Sequence, residues 1–359
     1  MKKLSKLLSV LLALAMVFAL ASCGSGSTSS SAGSGSTPST NSADASASSG
    51  DSSSSAAASG TAATDGETYT IGICQLVQHD ALDSATQGFK DALTEKLGDA
   101  VTFEEQNASG DSANCSTIID GFLSDGVDLI LANATAPLQA AAAATSEVPV
   151  LGTSVTDYAT ALEIDDWTGT VGNNISGTSD LAPLDQQAAM LNEMFPDAQN
   201  VGLLYCSGEP NSVYQCTVIE GYLKDYGYNV EWYAFTDTND VTSVAQTAAD
   251  NSDVIYIPTD NTAASNTEAI ANVVLPAGVP VIAGEEGIAR GCGVATLSIS
   301  YYDLGYTTGE MAYEILAEGA DISTMPVEYA PEVTAKYNAA NCEALGITPP
   351  ADYVPIDEE

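Results

Sequence analysis

The sequence has very few positively charged residues. Its 359 residues include 48 Asp and Glu but only 8 Lys and Arg, for a formal net charge of −40. Three of these cations, Lys2, Lys3 and Lys6, lie at the N-terminus, which leaves five for the rest of the chain. So few cations cannot neutralise nucleic-acid phosphates or hold a protein on an anionic membrane by charge. The composition therefore argues against a nucleic-acid partner and against a polybasic membrane-surface protein.

Catalytic motifs are also scarce. His79 is the only histidine, so a Ser-His-Asp triad would have to use it. The sequence has no GxxxxGK[ST] phosphate loop and no HExxH zinc motif. Asp237–Asp240 lacks the glycine and the distal glutamate of a calcium loop. We therefore expect a protein that is not an enzyme, with no catalytic residue, no metal site and no cofactor.

The sequence has one long apolar segment, which is too short to span a membrane. Leu7–Leu20 is apolar apart from Ser9 and covers 14 residues, whereas a transmembrane helix needs about 20. With the basic residues before it, the segment is typical of a secretory signal peptide over residues 1–22. The cysteine that follows directly, Cys23, resembles the lipidated residue of bacterial lipoproteins, which carries palmitate. An ordinary signal-peptidase site is the alternative.

Residues 24–66 consist almost wholly of Ser, Gly, Ala and Thr. Such a segment buries too little apolar surface to offset the entropy lost on ordering. Residues 23–66 are therefore predicted to be a lipidated cysteine followed by a flexible linker. The arrangement predicts a protein on the extracytoplasmic face of the cell membrane, attached through its lipid anchor only.

The rest of the chain contains the same pattern of strands and helices twice. Four predicted strands alternate with helices in residues 69–157, and residues 200–287 repeat this order. The first and fourth strands are 77 positions apart in one copy (Ile71 to Val148) and 78 in the other (Val201 to Val279). Such alternation predicts parallel sheets. Because the pattern restarts, we expect an α/β fold with two doubly wound lobes rather than one long sheet.

Polar residues follow the predicted strands in both copies. Ligands of open parallel sheets bind beyond the carboxyl ends of the strands, so two facing lobes would line one cleft with these residues. The candidates for donors to a ligand are Thr135, Ser154, Thr156, Ser207, Asn211 and Ser212. Each could instead only cap a helix.

Several of these turns resemble a branch of the ABC-transporter substrate-binding lipoproteins. The matching segments are Gln75–Asp83, Val155–Asp157, Asn174–Asp180, Gly208–Ser212, Pro258–Thr262 and Tyr301–Gly305. Members of that branch bind tryptophan, tyrosine or phenylalanine, and the resemblance covers roughly residues 69–350. It implies the type I periplasmic-binding fold with crossover strands, and a monomer that delivers its ligand to a membrane permease and its ATPase. The sequence departs from the family at Asp80, where proline is more common, and at Glu285-Glu286.

The resemblance also suggests where the lobes begin and end. Lobe 1 would comprise residues 67–172 and about 300–325. Lobe 2 would comprise residues 173–299 and about 326–359.

An amino-acid ligand is a zwitterion, and its ammonium group needs a carboxylate partner. Asp260 is the first candidate for that role, and Glu285 or Glu286 is the second. The candidates for an apolar side-chain pocket are Leu76, Tyr158 and Tyr205. The only arginine, Arg290, can capture an acid group once at most and could simply pair with nearby acids, which disfavours phosphate, sulfate or dicarboxylate ligands.

Two alternatives remain open from the sequence. The same fold could bind a sugar or nucleoside, or could serve as a sensory receptor domain. Six cysteines follow Cys23: Cys74, Cys115, Cys206, Cys216, Cys292 and Cys342. An even number outside the cell permits disulfides, although Cys74 and Cys206 end predicted buried strands, where free cysteine is common.

Overall fold

The computed structural model describes residues 67–330 and 332–356. The predicted signal peptide, the lipidation site at Cys23 and the linker to residue 66 lie outside these ranges. No helix within them is long and apolar enough to cross a membrane.

Strands and helices alternate along most of the described chain. The strands are β1 (Tyr69–Gln75), β2 (Val101–Asn107), β3 (Leu129–Asn133), β4 (Val150–Val155), β5 (Ile175–Ser179), β6 (Asn200–Cys206), β7 (Asn229–Phe235), β8 (Val254–Ile257), β9 (Val281–Ala283), β10 (Ala295–Ser298), β11 (Glu328–Tyr329), β12 (Thr334–Tyr337) and β13 (Val354–Pro355). The helices are α1 (Asp80–Leu97), α2 (Ser112–Asp125), α3 (Thr135–Ala144), α4 (Tyr158–Ala161), α5 (Leu184–Met194), α6 (Pro210–Asp225), α7 (Val241–Asn251), α8 (Asn261–Ala264), α9 (Thr267–Ala277), α10 (Glu286–Gly291), α11 (Tyr301–Glu318) and α12 (Ala339–Leu345). Short 3-10 turns cover Gly98–Ala100 and Ile322–Thr324.

The strands form two separate sheets with the same winding. Lobe 1 has the order β11-β5-β4-β3-β1-β2, and lobe 2 has the order β13-β12-β10-β9-β8-β6-β7. The first strand of each half, β1 or β6, lies between the second and third, so each half winds outward in both directions. Neighbouring strands pair in parallel except β10 and β12, which are antiparallel. The predicted α/β fold with two doubly wound lobes is confirmed.

The chain crosses between the lobes at points that differ from those expected. Because β5 pairs with β4 in lobe 1, the first crossing follows Ser179 instead of lying at 172–173. The second crossing precedes α11, which packs on α1 of lobe 1. The third lies between Tyr329 and Thr334 rather than near 326, because β11 pairs with β5. At both of these crossings, the chain first adds a strand (β5 or β11) to the lobe 1 sheet and then passes to lobe 2.

An apolar cluster lies where two of the crossings meet the start of α1. It contains Ala81, Ala85, Ala182, Ile299, Tyr301 and Leu304. Because its members come from α1, from both crossings and from α11, this cluster joins the crossing segments to lobe 1.

Helices α1 and α11 are in backbone contact at glycines. A Cβ atom at Gly88 would lie 2.1 Å from the carbonyl oxygen of Tyr302, and one at Gly305 would lie 1.9 Å from that of Ala85. Only glycine permits so close an approach. Since α11 begins at the crossing, this contact sets the position of its first turn, which carries Tyr301.

We expect Gly305→Ala to lower the free energy of unfolding by about 1–3 kcal/mol, because the added methyl group overlaps backbone atoms of α1 that cannot withdraw freely. Gly121→Ala in α2 is the matched control. A Cβ there meets nothing within 4 Å, so this change should raise stability by about 0.5–1 kcal/mol. Urea unfolding followed by circular dichroism measures both, and equal effects of the two substitutions would contradict the backbone contact.

Candidate functional site

The loops that follow the strands of the two sheets meet in one cleft between the lobes. The cleft encloses a small cavity of about 10 Å³. Lobe 1 lines it with the loops after β1 and β4, and lobe 2 with the loops after β8 and β9 and the start of α6. The crossing segments add Asp180 and Tyr301. The carboxyl ends of both sheets therefore face each other, as the sequence predicted.

The two lobes touch across this cleft. The hydroxyl oxygens of Thr156 in lobe 1 and Thr259 in lobe 2 lie 3.4 Å apart. His79 Nε2 lies 3.2 Å from Asn261 Oδ1. The amide nitrogen of Asn261 donates to Glu209, so its oxygen accepts and His79 is the donor. These direct contacts show that the cleft is closed.

Five of the residues predicted as ligand-binding line the cavity: Ser154, Thr156, Asn211, Asp260 and Glu285. The others do not. Leu76 lines a larger outer cavity that shares Asn211 with the first. Thr135 and Ser212 are buried in helices α3 and α6, and Ser207 is exposed, with its hydroxyl donating to the carbonyl of Phe235.

The two aromatic candidates for the pocket belong to the cores of the lobes. Tyr158 is buried in lobe 1, stacks on Trp167 and donates to the carbonyl oxygen of Thr178. Tyr205 packs edge-on against Trp232 in lobe 2. Neither lines the cavity between the lobes.

Asp260 and Glu209 both hold the N-terminus of α8. Asp260 accepts hydrogen bonds from the backbone N–H groups of Ala263 (2.8 Å) and Cys206 (2.6 Å). Glu209 accepts from the N–H groups of Asn261 (2.9 Å) and Thr262 (2.8 Å). The free N–H groups at the start of this helix are therefore taken up by carboxylates of the protein itself.

Glu285 has the same role at α10. Its carboxylate accepts from the backbone N–H groups of Gly287, at 2.6 Å, and of Ile288. The neighbouring Glu286 instead pairs with Lys336 (2.6 Å) and Arg290 (3.1 Å). Of these two adjacent glutamates, Glu285 therefore caps the helix and Glu286 takes part in an ion-pair network.

Burial raises the pKa of three carboxyl groups that line the cavity. The pKa of Asp260 rises from 3.8 to about 8, through burial and then through the charge of Glu209. Burial raises the pKa of Glu285 from 4.5 to about 7, and it also raises the pKa of Asp180. Burial lowers the pKa of His79, which favours its neutral form.

Two buried polar atoms at the cavity have no hydrogen-bond partner. They are Asp180 Oδ1 and Ser154 Oγ, in residues that are 4% and 6% exposed. The other oxygen of Asp180 accepts from the hydroxyl group of Tyr301 at 2.9 Å. Unpartnered buried polar atoms are uncommon in folded proteins. Among the described residues that line the cavity, these two buried side-chain atoms are therefore able to form a further hydrogen bond.

Asp180 was not among the predicted site residues. The available signal was its place directly after β5, at the end of the matching segment Asn174–Asp180. The crossing expected at 172–173 places Asp180 within lobe 2 rather than in the crossing segment.

Arg290 forms the ion pair between the lobes. Its guanidinium group contacts Asp80 of lobe 1 at 2.6 Å and Glu286 of its own helix at 3.1 Å. The remaining cations of the described ranges, Lys90, Lys96, Lys224 and Lys336, each form an ion pair within a lobe. The expectation that Arg290 pairs with nearby acids is confirmed.

The cysteines after Cys23 are all buried and free in the structure. Within the described ranges, no group of three or more His, Cys, Asp and Glu side chains is arranged to hold a metal ion.

Two lobes, crossing segments at a hinge and a polar cleft define a binding protein that closes on a small molecule. The family model of the ABC transporter substrate binding protein matches residues 70–354, and the chain belongs to this family. It is therefore the extracytoplasmic substrate-binding component that works with an ABC transporter, and not an enzyme.

Several characterised proteins are similar to the chain. A tyrosine-binding protein from Clostridioides difficile (strain R20291) is 34% identical over 278 residues, which cover 77% of this chain and 80% of that protein. The structure of an ABC domain in complex with L-Trp from Streptococcus pneumonia is 29% identical with a TM-score of 0.77. The ligand-free, open structure of a substrate-binding protein with adhesive properties from Clostridium difficile is 34% identical with a TM-score of 0.62. Each of these two structures is covered completely, by 81% of this chain.

The TM-scores agree with the closed cleft. The chain superimposes better on the L-Trp complex than on the open structure, although its identity to the open protein is higher. Rotation of one lobe against the other at a hinge lowers such a score without changing either lobe.

We expect the stability of the protein to fall as the pH rises from about 4 to about 8. In that window the folded protein keeps a proton on Asp260 that the unfolded chain has lost, because the folded pKa of about 8 exceeds the ordinary 3.8. Asp260→Asn retains a cap acceptor and removes this titration, so the dependence on pH should become weaker. Some dependence should remain because the pKa of Glu285 is raised as well.

Urea titrations at pH 5, 6.5 and 8 measure this slope. Asp253→Asn is the control, since the N–H groups of Gln199 and Asn200 hold the pKa of Asp253 below its ordinary value. That variant should lose stability throughout this pH range and keep the slope of the wild type. An Asp260→Asn variant with an unchanged slope would show that Asp260 is ionised throughout.

Proposed function

We propose that the cleft binds an aromatic amino acid, with tyrosine and tryptophan as the first candidates, and that the protein passes it as a monomer to a membrane permease with its ATPase. The support from relatives is the tyrosine-binding protein at 34% identity and the L-Trp complex at 29%. The observation that carries the proposal is the pair of unpartnered atoms, Asp180 Oδ1 and Ser154 Oγ, in one closed cavity.

Asp180 is the partner that we assign to the ligand ammonium group. Asp260, the first candidate from the sequence, and Glu285, one of the second candidates, already accept two backbone N–H groups each. Asp180 has one oxygen fixed by Tyr301 and the other one free. An unpaired buried carboxylate is costly, and a ligand ammonium group would relieve that cost.

The remaining parts of an aromatic amino acid have partners in the same cavity. Ser154 Oγ can donate to the ligand carboxylate, with the hydroxyl group of Thr156 beside it. Leu82, Ala264 and the ring of Tyr301 supply the apolar surface for the ligand ring.

A sugar or nucleoside fits this lining less well. A site for such flat ligand faces would place two aromatic side chains on opposite sides of the ligand. Among the described residues that line the cavity, Tyr301 is the only one with a phenyl-type ring. The carboxylate with a free oxygen instead favours a ligand that carries a positive charge.

Asp180→Asn should weaken the binding of tyrosine and tryptophan by about 100-fold, because it removes the charge opposite the ammonium group while it keeps the size of the side chain. Asp260→Asn should weaken binding much less, since that carboxylate serves the helix cap. Isothermal titration calorimetry gives both dissociation constants, and thermal melts establish that each variant is folded. The reverse order of effects would return the ammonium site to Asp260.

We also propose that Cys23 is lipidated and anchors the protein on the outer face of the cell membrane. The support is the sequence pattern, a basic start and an apolar segment followed directly by Ala21-Ser22-Cys23. Expressed in a bacterial host, the wild-type protein should partition into detergent, and its N-terminal peptide should carry the mass of the acyl chains. Cys23→Ala should remove that mass, and an unmodified wild-type peptide would refute the anchor.

A further inference from the structure

We propose that the cleft recognises the ammonium group of its ligand more strongly than the carboxylate, so that it also binds aromatic amines without a carboxylate. The proposal rests on the proposed function and widens its ligand class from aromatic amino acids to aromatic primary amines. The juxtaposition that carries it is a cavity lined by three buried carboxyl groups, one with a free oxygen, and by no Lys or Arg of the described residues.

Apart from His79, the titratable side chains with a carboxyl, amine or guanidinium group that line the cavity are all acids among the described residues. Asp180, Asp260 and Glu285 line it, and Glu209 lies directly behind Asn261. Among the described lining residues there is no Lys or Arg. His79 is mostly neutral near pH 7, because burial lowers its pKa. A ligand carboxylate thus gains no charged partner here and meets several acids.

The arginine of the chain does not supply the missing charge. Arg290 lines a neighbouring cavity of about 400 Å³, where its guanidinium group is held between Asp80 and Glu286. Glu285 and Tyr301 line both cavities and stand between the arginine and the ligand.

Helix N-termini often bind carboxylates in place of a cation, but two of those in lobe 2, at α8 and α10, are occupied. At α8, three successive N–H groups, of residues 261, 262 and 263, donate to Glu209 and Asp260. At α10, the N–H groups of Gly287 and Ile288 donate to Glu285. Carboxylates of the protein therefore occupy these two helix N-termini, which a ligand carboxylate could otherwise use.

The ammonium and carboxylate groups of an amino acid therefore meet partners of unequal strength in this cavity. The ammonium group meets the free oxygen of Asp180, in a residue that is 4% exposed. The carboxylate meets the hydroxyl group of Ser154, which is the one buried side-chain donor without a partner among the described residues that line the cavity. Hydrogen bonds between two charged groups are stronger than those with one neutral partner, so loss of the carboxylate should cost less than loss of the amine.

Calorimetry of the wild-type protein with three related compounds tests this. The compounds are L-tyrosine, tyramine, which lacks the carboxylate, and 3-(4-hydroxyphenyl)propionate, which lacks the amine. We expect tyramine to bind within about tenfold of tyrosine and the propionate to bind at least about 100-fold more weakly.

Two variants separate the two ends of the ligand. Ser154→Ala should weaken the binding of tyrosine and leave the binding of tyramine nearly unchanged. Asp180→Asn should weaken the binding of both compounds. Thermal melts show whether each variant is folded, and the wild-type comparison stands without them. If tyrosine binds but tyramine binds more than 100-fold more weakly, the carboxylate is essential and this inference is wrong while the proposed function stands. If neither tyrosine nor tryptophan binds, the proposed function itself fails.

Discussion

Backbone N–H groups at helix N-termini hold the carboxylates that this protein buries in its cleft. Burying an ionised acid is expensive unless hydrogen bonds replace its lost water. Asp260 and Glu209 obtain those bonds at α8, and Glu285 obtains them at α10. Both helices begin just after central strands of lobe 2 and have their N-termini at the cleft. The caps therefore fix the shape of the cleft wall, and they also place its acidic groups.

Much of the fold could be predicted because its signals are local. Alternation of strands and helices, repeated at nearly equal spacing, was sufficient for two doubly wound lobes. The fourth strand of each lobe begins after its proline, at Val150 and Val281, since proline has no N–H group to donate to the neighbouring strand. The crossings could not be placed from the sequence. They depend on which short segment adds to a sheet edge, and the pairing of β11 with β5 joins residues about 150 positions apart.

The same distinction applies to the site. Ser154, Thr156 and Glu285 could be predicted as lining residues because Ser154 lies at the carboxyl end of β4, and Thr156 and Glu285 follow β4 and β9. The tertiary structure determines which of the carboxylates has a free oxygen. The N–H group of Cys206, 54 positions away in the sequence, donates to Asp260 and makes that carboxylate less available to a ligand. The hydroxyl group of Tyr301, 121 positions away, donates to Asp180 and holds it in place. No local pattern carries either fact.

Closure of the cleft relies on few contacts between the lobes. The Thr156–Thr259 contact is 3.4 Å, and the Asp80–Arg290 pair is partly exposed, a kind of pair that typically contributes less than about 1 kcal/mol. Closure also brings Asp180 near Asp260 and Glu285 in one small cavity. In the empty closed state, protons must relieve that crowding of acids, whereas a ligand ammonium group would relieve it directly. A cationic ligand thus stabilises the closed state more than the open one, and this difference is what drives closure.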